Sequence, residues 1–157
     1  MSAAGGPKGG RRKPALQISF PSQTRFLALV RELTQKMAEG AGFDADTAHR
    51  VALAVDEAAT NVIEHAYHGS PEQEIDLRVE DRGAEFRVEI LDSGDMVDPR
   101  SFPRVDLARY REERRTGGLG VHLMEKIMDS VTFRRSARRN VCSLIKRKPA
   151  PPAGERG

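Results

Sequence analysis

Residues 56–67 read DEAATNVIEHAY, and this stretch decides how the chain folds. Apolar residues recur through it and just before it at intervals of 4, 3, 4 and 4: Val51, Val55, Ala58, Val62 and Ala66. This spacing predicts an amphipathic helix whose apolar stripe faces a core. Glu57 and Asn61 are four residues apart and therefore lie on one polar face, which His65 extends by another turn.

Shorter apolar patterns on both sides predict the other elements. Alternating residues predict strands near 16–20, 75–79, 86–91, 131–133 and 141–145, and helical spacing predicts helices near 26–37 and 119–128. Asp44 or Asp46 can cap the central helix, and Asp81-Arg82-Gly83-Ala84 predicts a hairpin turn. The charged segment 93–116 has weak periodicity and is interpreted as a mobile active-site lid.

The predicted order β-α-α-β-β-lid-α-β-β indicates an α+β fold. We expect a two-layer sandwich, with a mixed, mainly antiparallel sheet that helices cover on one face. A single domain is expected over residues 14–148. The segments 1–13 and 149–157 are rich in glycine, proline and charge, and we expect both to be flexible tails.

The charge of the chain is unevenly distributed. The 157 residues carry a formal net charge of +3, but residues 44–98 hold 15 acidic and 4 basic residues. Residues 99–147 hold 13 basic and 5 acidic residues, so the second half is basic. Aromatic residues make up only 5%, which leaves little material for stacking on bases. Because no recognition motif accompanies the basic tails, a DNA-binding regulator is the least favoured class.

The chain is expected to be cytoplasmic. No apolar run approaches the roughly 20 residues of a membrane helix, and the first residues lack the apolar stretch of a signal peptide. Cys142 is the single cysteine, which excludes an internal disulfide and a multi-cysteine zinc site. We interpret Cys142 as a small buried apolar residue and His65 as a structural histidine.

Three constellations can carry chemistry. Glu57 and Asn61 place a carboxylate beside an amide oxygen, which suits metal-assisted phosphoryl transfer; the alternative is a solvated helix face. Asp92-Ser93-Gly94-Asp95 follows a strand and can bind a ligand amine, or be a tight turn. Thr116-Gly117-Gly118-Leu119-Gly120 opens a helix and can hold phosphate on its backbone amides, or be a hinge.

The order of these motifs resembles the nucleotide-binding boxes of the GHKL ATPase (Bergerat) fold, shared by gyrase, histidine kinases and MutL. The run from Glu57 to Tyr67 is similar to the E-A-x-x-N-x-x-x-H-[AG]-Y of bacterial anti-sigma-factor serine kinases of the RsbW type. Gly117-Gly118-Leu119-Gly120, followed by Leu123 and Met128-Asp129, is similar to the same family. The resemblance covers roughly residues 16–147.

This resemblance implies a role for each matching residue. Glu57 would be the general base on the substrate hydroxyl, and Asn61 would hold Mg²⁺ on the ATP phosphates. Asp92 would bind the adenine amine, with Gly94 beneath the ring. Residues 95–116 would form the ATP lid. The nucleotide would also contact Arg115, Gly117, Gly118, Leu119 and Gly120.

The sequence departs from the family pattern at three places. The basic residue that usually precedes the glycine-rich loop is matched by Arg115 only one position off. Met96 replaces a later glycine of the Asp-x-Gly-x-Gly box. The last strand often carries Gly-Thr, where the threonine aids adenine binding, but here it reads Arg139-Asn140-Val141-Cys142-Ser143. Ser143 or a water is a candidate substitute for the threonine.

The resemblance implies an ATP-dependent serine/threonine protein kinase of a partner-switching system. Its partners would be a STAS-domain antagonist, phosphorylated on serine or threonine, and a sigma factor or other effector held inactive; a homodimer is expected. The alternatives are a non-catalytic ATP-responsive binding module and the detached catalytic domain of a histidine kinase. Retention of Glu57 and Asn61 argues against the first, and the absence of a preceding phosphoacceptor helix pair argues against the second.

Overall fold

The computed structural model describes residues 15–96, 119–150 and 154. Its strands are β1 (Leu16–Pro21), β2 (Glu74–Asp81), β3 (Glu85–Asp92), β4 (Ser130–Ser136) and β5 (Arg139–Arg147). Its α-helices are α1 (Leu27–Gly40), α2 (Ala45–Asn61) and α3 (Leu119–Ile127). A 3₁₀ turn at Thr24–Phe26 leads into α1, and a π-helical turn at Val62–Ala66 continues α2.

The five strands form one sheet in the order β1-β2-β3-β5-β4. All four pairings of the described sheet are antiparallel, which agrees with the mainly antiparallel sheet expected from the sequence. The β4–β5 hairpin is tighter than the predicted basic turn, because Arg134 and Arg135 belong to β4 and Ala137 turns with φ 55°. In the pairing of β3 with β5, Asp92 lies opposite Asn140. This register brings the ends of two strands that are distant in sequence to one corner of the sheet.

The three α-helices cover one face of the sheet, as predicted. Alternate residues of the central strands are fully buried against the apolar stripe of α2. These residues are Leu77, Val79, Phe86, Val88, Ile90 and Leu144 on the sheet and Val51, Val55 and Ala58 on α2. Asp44 caps α2, since its carboxylate accepts a hydrogen bond from the Thr47 N–H at 2.8 Å. The cap and the stripe together fix which face of α2 turns away from the core.

A buried ion pair ties three strands together on the opposite face of the sheet. Asp76 on β2 is only 5% exposed and accepts hydrogen bonds from Ser19 on β1 and from the Arg139 guanidinium at 2.6 Å. Arg139 also donates to the Leu91 carbonyl at 3.4 Å. Burial raises the pKa of Asp76, but the bonds from Ser19 and Arg139 outweigh it, and the pKa is lowered overall.

We expect Arg139→Met to destabilise the protein by about 2–4 kcal/mol at neutral pH, because a buried carboxylate loses its cation. Since Asp76 has a lowered pKa, its contribution exists above the unfolded-state pKa and is lost as the pH falls through the folded-state pKa. Urea unfolding at several pH values measures both effects. Arg134→Met is the matched control: Arg134 is half-exposed and lies 3.6 Å from Glu89, so its loss should cost below about 1 kcal/mol. Equal losses in the two variants would contradict the prediction.

Candidate nucleotide-binding site

A pocket lies where the C-terminal end of α2, the end of β3 and the β4–β5 hairpin meet. Its lining among the described residues combines apolar side chains with amide, carboxylate and imidazole groups. The lining residues are Ala58, Asn61, Val62, His65, Ala66, Asp92, Asp95, Met96, Phe133, Arg134, Asn140, Val141 and Cys142. An apolar pocket with a few convergent polar groups is the usual form of a site for a small ligand.

Asp92 is the buried carboxylate of this pocket, at 4% exposure. Its Oδ1 accepts two hydrogen bonds, from the Gly94 N–H at 2.9 Å and from the Asn140 side-chain amide at 2.8 Å. Burial raises the pKa of Asp92, while the bonds from Asn140 and Gly94 act against that rise. Both hydrogen bonds given by described residues end on Oδ1, so Oδ2 is the oxygen available to a ligand donor.

Gly94 is held against the backbone of the π-helical turn. A Cβ at this position would lie 2.5 Å from the Ala66 carbonyl oxygen and 2.7 Å from its carbon. The next residue, Asp95, donates its N–H to the same carbonyl at 3.0 Å. Only glycine allows this close approach, so Gly94 anchors the loop after β3 to the end of α2.

The π-helical turn at Val62–Ala66 positions the loop that follows β3. It shifts the hydrogen bonding by one residue, so that the Tyr67 N–H donates to the Val62 carbonyl at 2.9 Å. The Tyr67 hydroxyl donates to the Glu74 carbonyl at 2.7 Å and accepts from the Ser93 N–H at 2.8 Å. Tyr67 therefore joins the end of α2, β2 and the loop that carries Gly94.

We expect Gly94→Ala to weaken nucleotide binding at least about tenfold, because the new methyl group meets backbone atoms that cannot move aside without moving Asp92. Nucleotide titration by calorimetry measures the effect. Gly83→Ala serves as the control: Gly83 turns the β2–β3 hairpin with φ 79° and has open space at its Cβ, so only stability should fall. Unchanged binding in Gly94→Ala would contradict the role given to this contact.

Glu57 lies one turn before Asn61 on α2 and does not itself line the described part of the pocket. Burial raises the pKa of the Glu57 carboxyl, and the neighbouring charges of Asp56 and Glu64 raise it further. The buried Gly120 in the first turn of α3 packs against this carboxylate, and a Cβ there would lie 2.5 Å from Glu57 Oε2. Because glycine has no Cβ, position 120 leaves space for the Glu57 carboxylate.

Asn61 is the last residue of α2, and its side chain lines the pocket. Its Nδ2 is buried with no hydrogen-bond partner among the described residues, and the same holds for Oδ1 of Asn140. A buried polar atom without a partner is costly, so both amides fit a bound ligand that offers donors and acceptors. No group of three or more histidine, cysteine or acidic side chains in the described ranges is arranged so that it could hold a metal ion. A divalent cation would fit here through one amide oxygen, with phosphates and water supplying the other ligands.

The structure brings Asn61, Asp92 and Gly94 to one corner of the fold and places Gly120 beside Glu57. Arg115, Gly117 and Gly118 lie outside the described residues, as does the predicted lid at 95–116 apart from Asp95 and Met96. Leu119 begins α3, as the glycine-rich motif predicts. Ser143 is not a substitute for the family threonine, because it pairs with Glu89 and Thr132 on the sheet face turned away from the pocket.

Cys142 is buried beneath the pocket, as predicted, and burial raises the pKa of its thiol to about 12.

Two polar groups of the site were not recognised as such from the sequence, Asn140 and the Tyr67 hydroxyl. The sequence pointed to the start of the last strand as the region where the family carries Gly-Thr, but it offered Ser143 as the substitute and not Asn140. Nothing in the local sequence indicates the bridge made by Tyr67.

The chain is similar to known proteins along most of its length. Residues 20–146 match the family described as the histidine kinase-like ATPase domain. The serine-protein kinases RsbW of Bacillus velezensis and Bacillus subtilis are each 31% identical over 124 residues, covering 74% of this chain and 75% of theirs. The RsbW kinase of Listeria monocytogenes is 28% identical over 120 residues.

Two solved structures share the fold. One holds the RsbU and RsbW domains of a Mycobacterium tuberculosis protein, with a TM-score of 0.56, 16% identity, and coverage of 84% of this chain and 31% of that one. The other is the SiaB–SiaC complex of Pseudomonas aeruginosa, with a TM-score of 0.57, 13% identity, and coverage of 87% and 91%. None of the described helices is long and apolar enough to cross a membrane. From the matched domain and the identity to the Bacillus proteins, the chain belongs to the histidine kinase-like ATPase domain family and, within it, to the RsbW serine-protein kinases.

Proposed function

We propose that this chain is an ATP-dependent protein serine/threonine kinase and anti-sigma factor of a partner-switching system. The observation that carries the proposal is the placement of Asn61 and Asp92 in one pocket, with the half-buried Glu57 one helical turn from Asn61. A carboxylate with a raised pKa beside an amide ligand is the pair that a kinase of this class needs. The name of the Bacillus relatives, serine-protein kinase, supports the choice of serine as acceptor.

Each residue of the site has a defined task in this proposal. Asp92 accepts the adenine amine and Gly94 lets the flat ring approach the loop. Asn61 holds Mg²⁺ through its amide oxygen, and the metal, when bound, neutralises charge on the phosphates. Glu57 accepts the proton of the attacking hydroxyl. The phosphates lie against backbone N–H groups of the glycine-rich motif, at Gly117, Gly118, Leu119 and Gly120, with Arg115 nearby and residues 95–116 as the lid.

The proposed protein substrate is a STAS-domain antagonist, and the proposed effector is a sigma factor or a similar regulator. Phosphorylation of the antagonist on serine or threonine would end its hold on the kinase. We further propose a homodimer, a cytoplasmic location and a single domain over residues 14–148. The tails expected at 1–13 and 149–157 lie outside the described residues, apart from residues 149, 150 and 154.

Phosphotransfer from ATP to a purified STAS protein encoded near this gene tests the proposal. With radiolabelled γ-phosphate and Mg²⁺, label should appear on a serine or threonine of the STAS protein, and chelation of the metal should abolish it. A variant of the STAS protein that lacks the acceptor hydroxyl is the matched control. ATP binding without any transfer would instead support the non-catalytic binding module, and failure to bind ATP would overturn the proposal.

A further inference from the structure

Gly120 is a buried residue in the first turn of α3, the helix that packs against α2. The same segment buries three larger side chains in the core: Val121, Met124 and Met128. The far end of α3 is also tied to the sheet, because Lys146 on β5 donates a hydrogen bond to the Ile127 carbonyl at 2.6 Å. α3 is therefore held along its length and cannot easily move aside to admit a side chain at position 120.

The Glu57 side chain runs along this glycine. A Cβ built at position 120 would lie 2.5 Å from Glu57 Oε2, 3.5 Å from its Cδ and 3.6 Å from its Cβ. The backbone that carries Glu57 is fixed as well, since Val55, Ala58 and Ala59 on either side of it are buried in the core. Of the atoms that meet at this point, the carboxylate oxygen is therefore the one that can move, by rotation of the Glu57 side chain.

Within the described part of the chain, packing and not hydrogen bonding orients the Glu57 carboxylate. No described residue offers it a hydrogen bond or a cation. Burial raises the pKa of this carboxyl, and the negative charges of Asp56 and Glu64, which repel it, raise the pKa further. A carboxylate that its neighbours repel keeps one position only where the surrounding atoms leave space for it, and α3 limits that space at position 120.

We propose that Gly120 is a positioning residue for the phosphotransfer reaction. The absence of a side chain at this position sets where the Glu57 carboxylate can lie, and α3 holds the base at that place. The inference rests on the proposed role of Glu57 as general base. It gives Gly120 a task that differs from phosphate binding, because phosphate would use the backbone N–H, which every residue except proline carries.

Gly120→Ala tests the inference, because the new methyl group displaces the carboxylate but leaves the backbone N–H in place. Turnover on a STAS protein at saturating Mg-ATP should fall about 10–100-fold, since a misplacement of about 1 Å can cost about 100-fold. ATP affinity, measured by calorimetry on the full chain, should stay within a few-fold of the wild type. Thermal unfolding should be nearly unchanged, because only the end of a flexible side chain has to move and alanine suits a helix.

Glu57→Asp separates positioning from structural support. The aspartate side chain is shorter by one methylene and ends near the place of the Glu57 Cδ, which would lie 3.5 Å from the added Cβ, an ordinary contact. We expect Glu57→Asp to lower turnover by itself. In that background Gly120→Ala should cost less than about twofold more, because the methyl group no longer displaces the carboxylate.

Gly40→Ala is the matched control, since Gly40 also lies in a helix, at the end of α1, and a Cβ there would meet no described atom within 4 Å. It should leave turnover and ATP affinity unchanged. The carbon-13 resonance of the Glu57 carboxyl, assigned by its loss in Glu57→Gln, reports on the surroundings of this group without any turnover. This resonance should shift in Gly120→Ala and stay in place in Gly40→Ala.

The outcomes distinguish this inference from the proposed function. Wild-type turnover in Gly120→Ala would overturn the inference and leave the kinase proposal standing. The same holds if that variant loses ATP affinity by the same factor as turnover, or if Gly120→Ala costs as much in the Glu57→Asp background as in the wild type. Wild-type protein that transfers no phosphate from ATP would overturn both.

Discussion

Replacing Glu57 by glutamine is expected to lower the rate of phosphotransfer by about 10²–10⁴-fold while ATP affinity stays within a few-fold of the wild type. Glutamine keeps the size of the side chain and its place beside Gly120, but it cannot take a proton from the attacking hydroxyl. Initial rates on a STAS protein at saturating Mg-ATP measure the loss. A drop in the rate with unchanged nucleotide binding locates the effect in the chemical step.

The raised pKa of Glu57 predicts how both the rate and the stability depend on pH. A general base must be ionised, so the rate of the wild type should fall on acidification at a higher pH than an ordinary glutamate would give. Ionising this carboxyl in the folded state also costs stability, because burial and the charges of Asp56 and Glu64 oppose it. Glu57→Gln should therefore be more stable than the wild type at neutral pH. The gain should vanish as the pH falls through the folded-state pKa towards the unfolded value.

Glu64→Gln is the matched control for this experiment. Glu64 belongs to the same stretch, is exposed, and lies 3.9 Å from the imidazole of His65, so its neutralisation should leave the rate at neutral pH close to the wild type. Because the Glu64 charge helps to raise the pKa of Glu57, this variant should only lower the pH at which the rate falls. A Glu57→Gln variant that retains wild-type turnover would show that another group accepts the proton. If Glu57→Gln loses both activity and stability, the loss of activity comes from impaired folding and not from the missing base.

The central helix and its polar motif could be predicted because their signal is local. The 4, 3, 4, 4 spacing of the stripe, the Asp44 cap and the Glu57–Asn61 interval all follow from the helical repeat, and the structure confirms the helix and its cap. The π-helical turn at Val62–Ala66 was not predicted, because the four-residue spacing of Ala58, Val62 and Ala66 fits a single π turn as well as an α-helical turn. Its presence moves Ala66 and Tyr67 to where they contact the loop after β3.

The partners of Asp92 could not be predicted, because they depend on register between strands that are not neighbours in sequence. Asp92 and Asn140 face each other only because β5 returns between β3 and β4. A slip of one residue would turn Asn140 to the far face of the sheet, away from Asp92. The same dependence explains why Ser143, a reasonable candidate from the sequence, lies on the wrong side. The glycine requirement at position 94 likewise comes from a tertiary contact with Ala66 that no local pattern records.

Removing the Asn61 amide should produce a different kinetic signature from removing Glu57. In Asn61→Ala we expect phosphotransfer at low Mg²⁺ to fall at least about 100-fold, since a direct metal ligand should matter at least as much as the outer-shell groups whose loss costs 10–100-fold in metal affinity. The rate should recover partly as Mg²⁺ is raised, because the phosphates and water still offer ligands. Rates measured across a range of Mg²⁺ concentrations at fixed ATP reveal the shift.

Two variants on the same helix give this experiment its control. Asn61→Asp keeps an oxygen at the ligand position and should retain more activity than Asn61→Ala. Thr60→Ala removes a hydroxyl that donates to the Asp56 carbonyl at 2.8 Å within α2, and it should leave the Mg²⁺ dependence unchanged. If the loss in Asn61→Ala is the same at every Mg²⁺ concentration, Asn61 packs the end of α2 rather than binding metal. A shift confined to Asn61→Ala, combined with a loss in Glu57→Gln that added metal does not restore, assigns metal binding and proton transfer to two residues one helical turn apart.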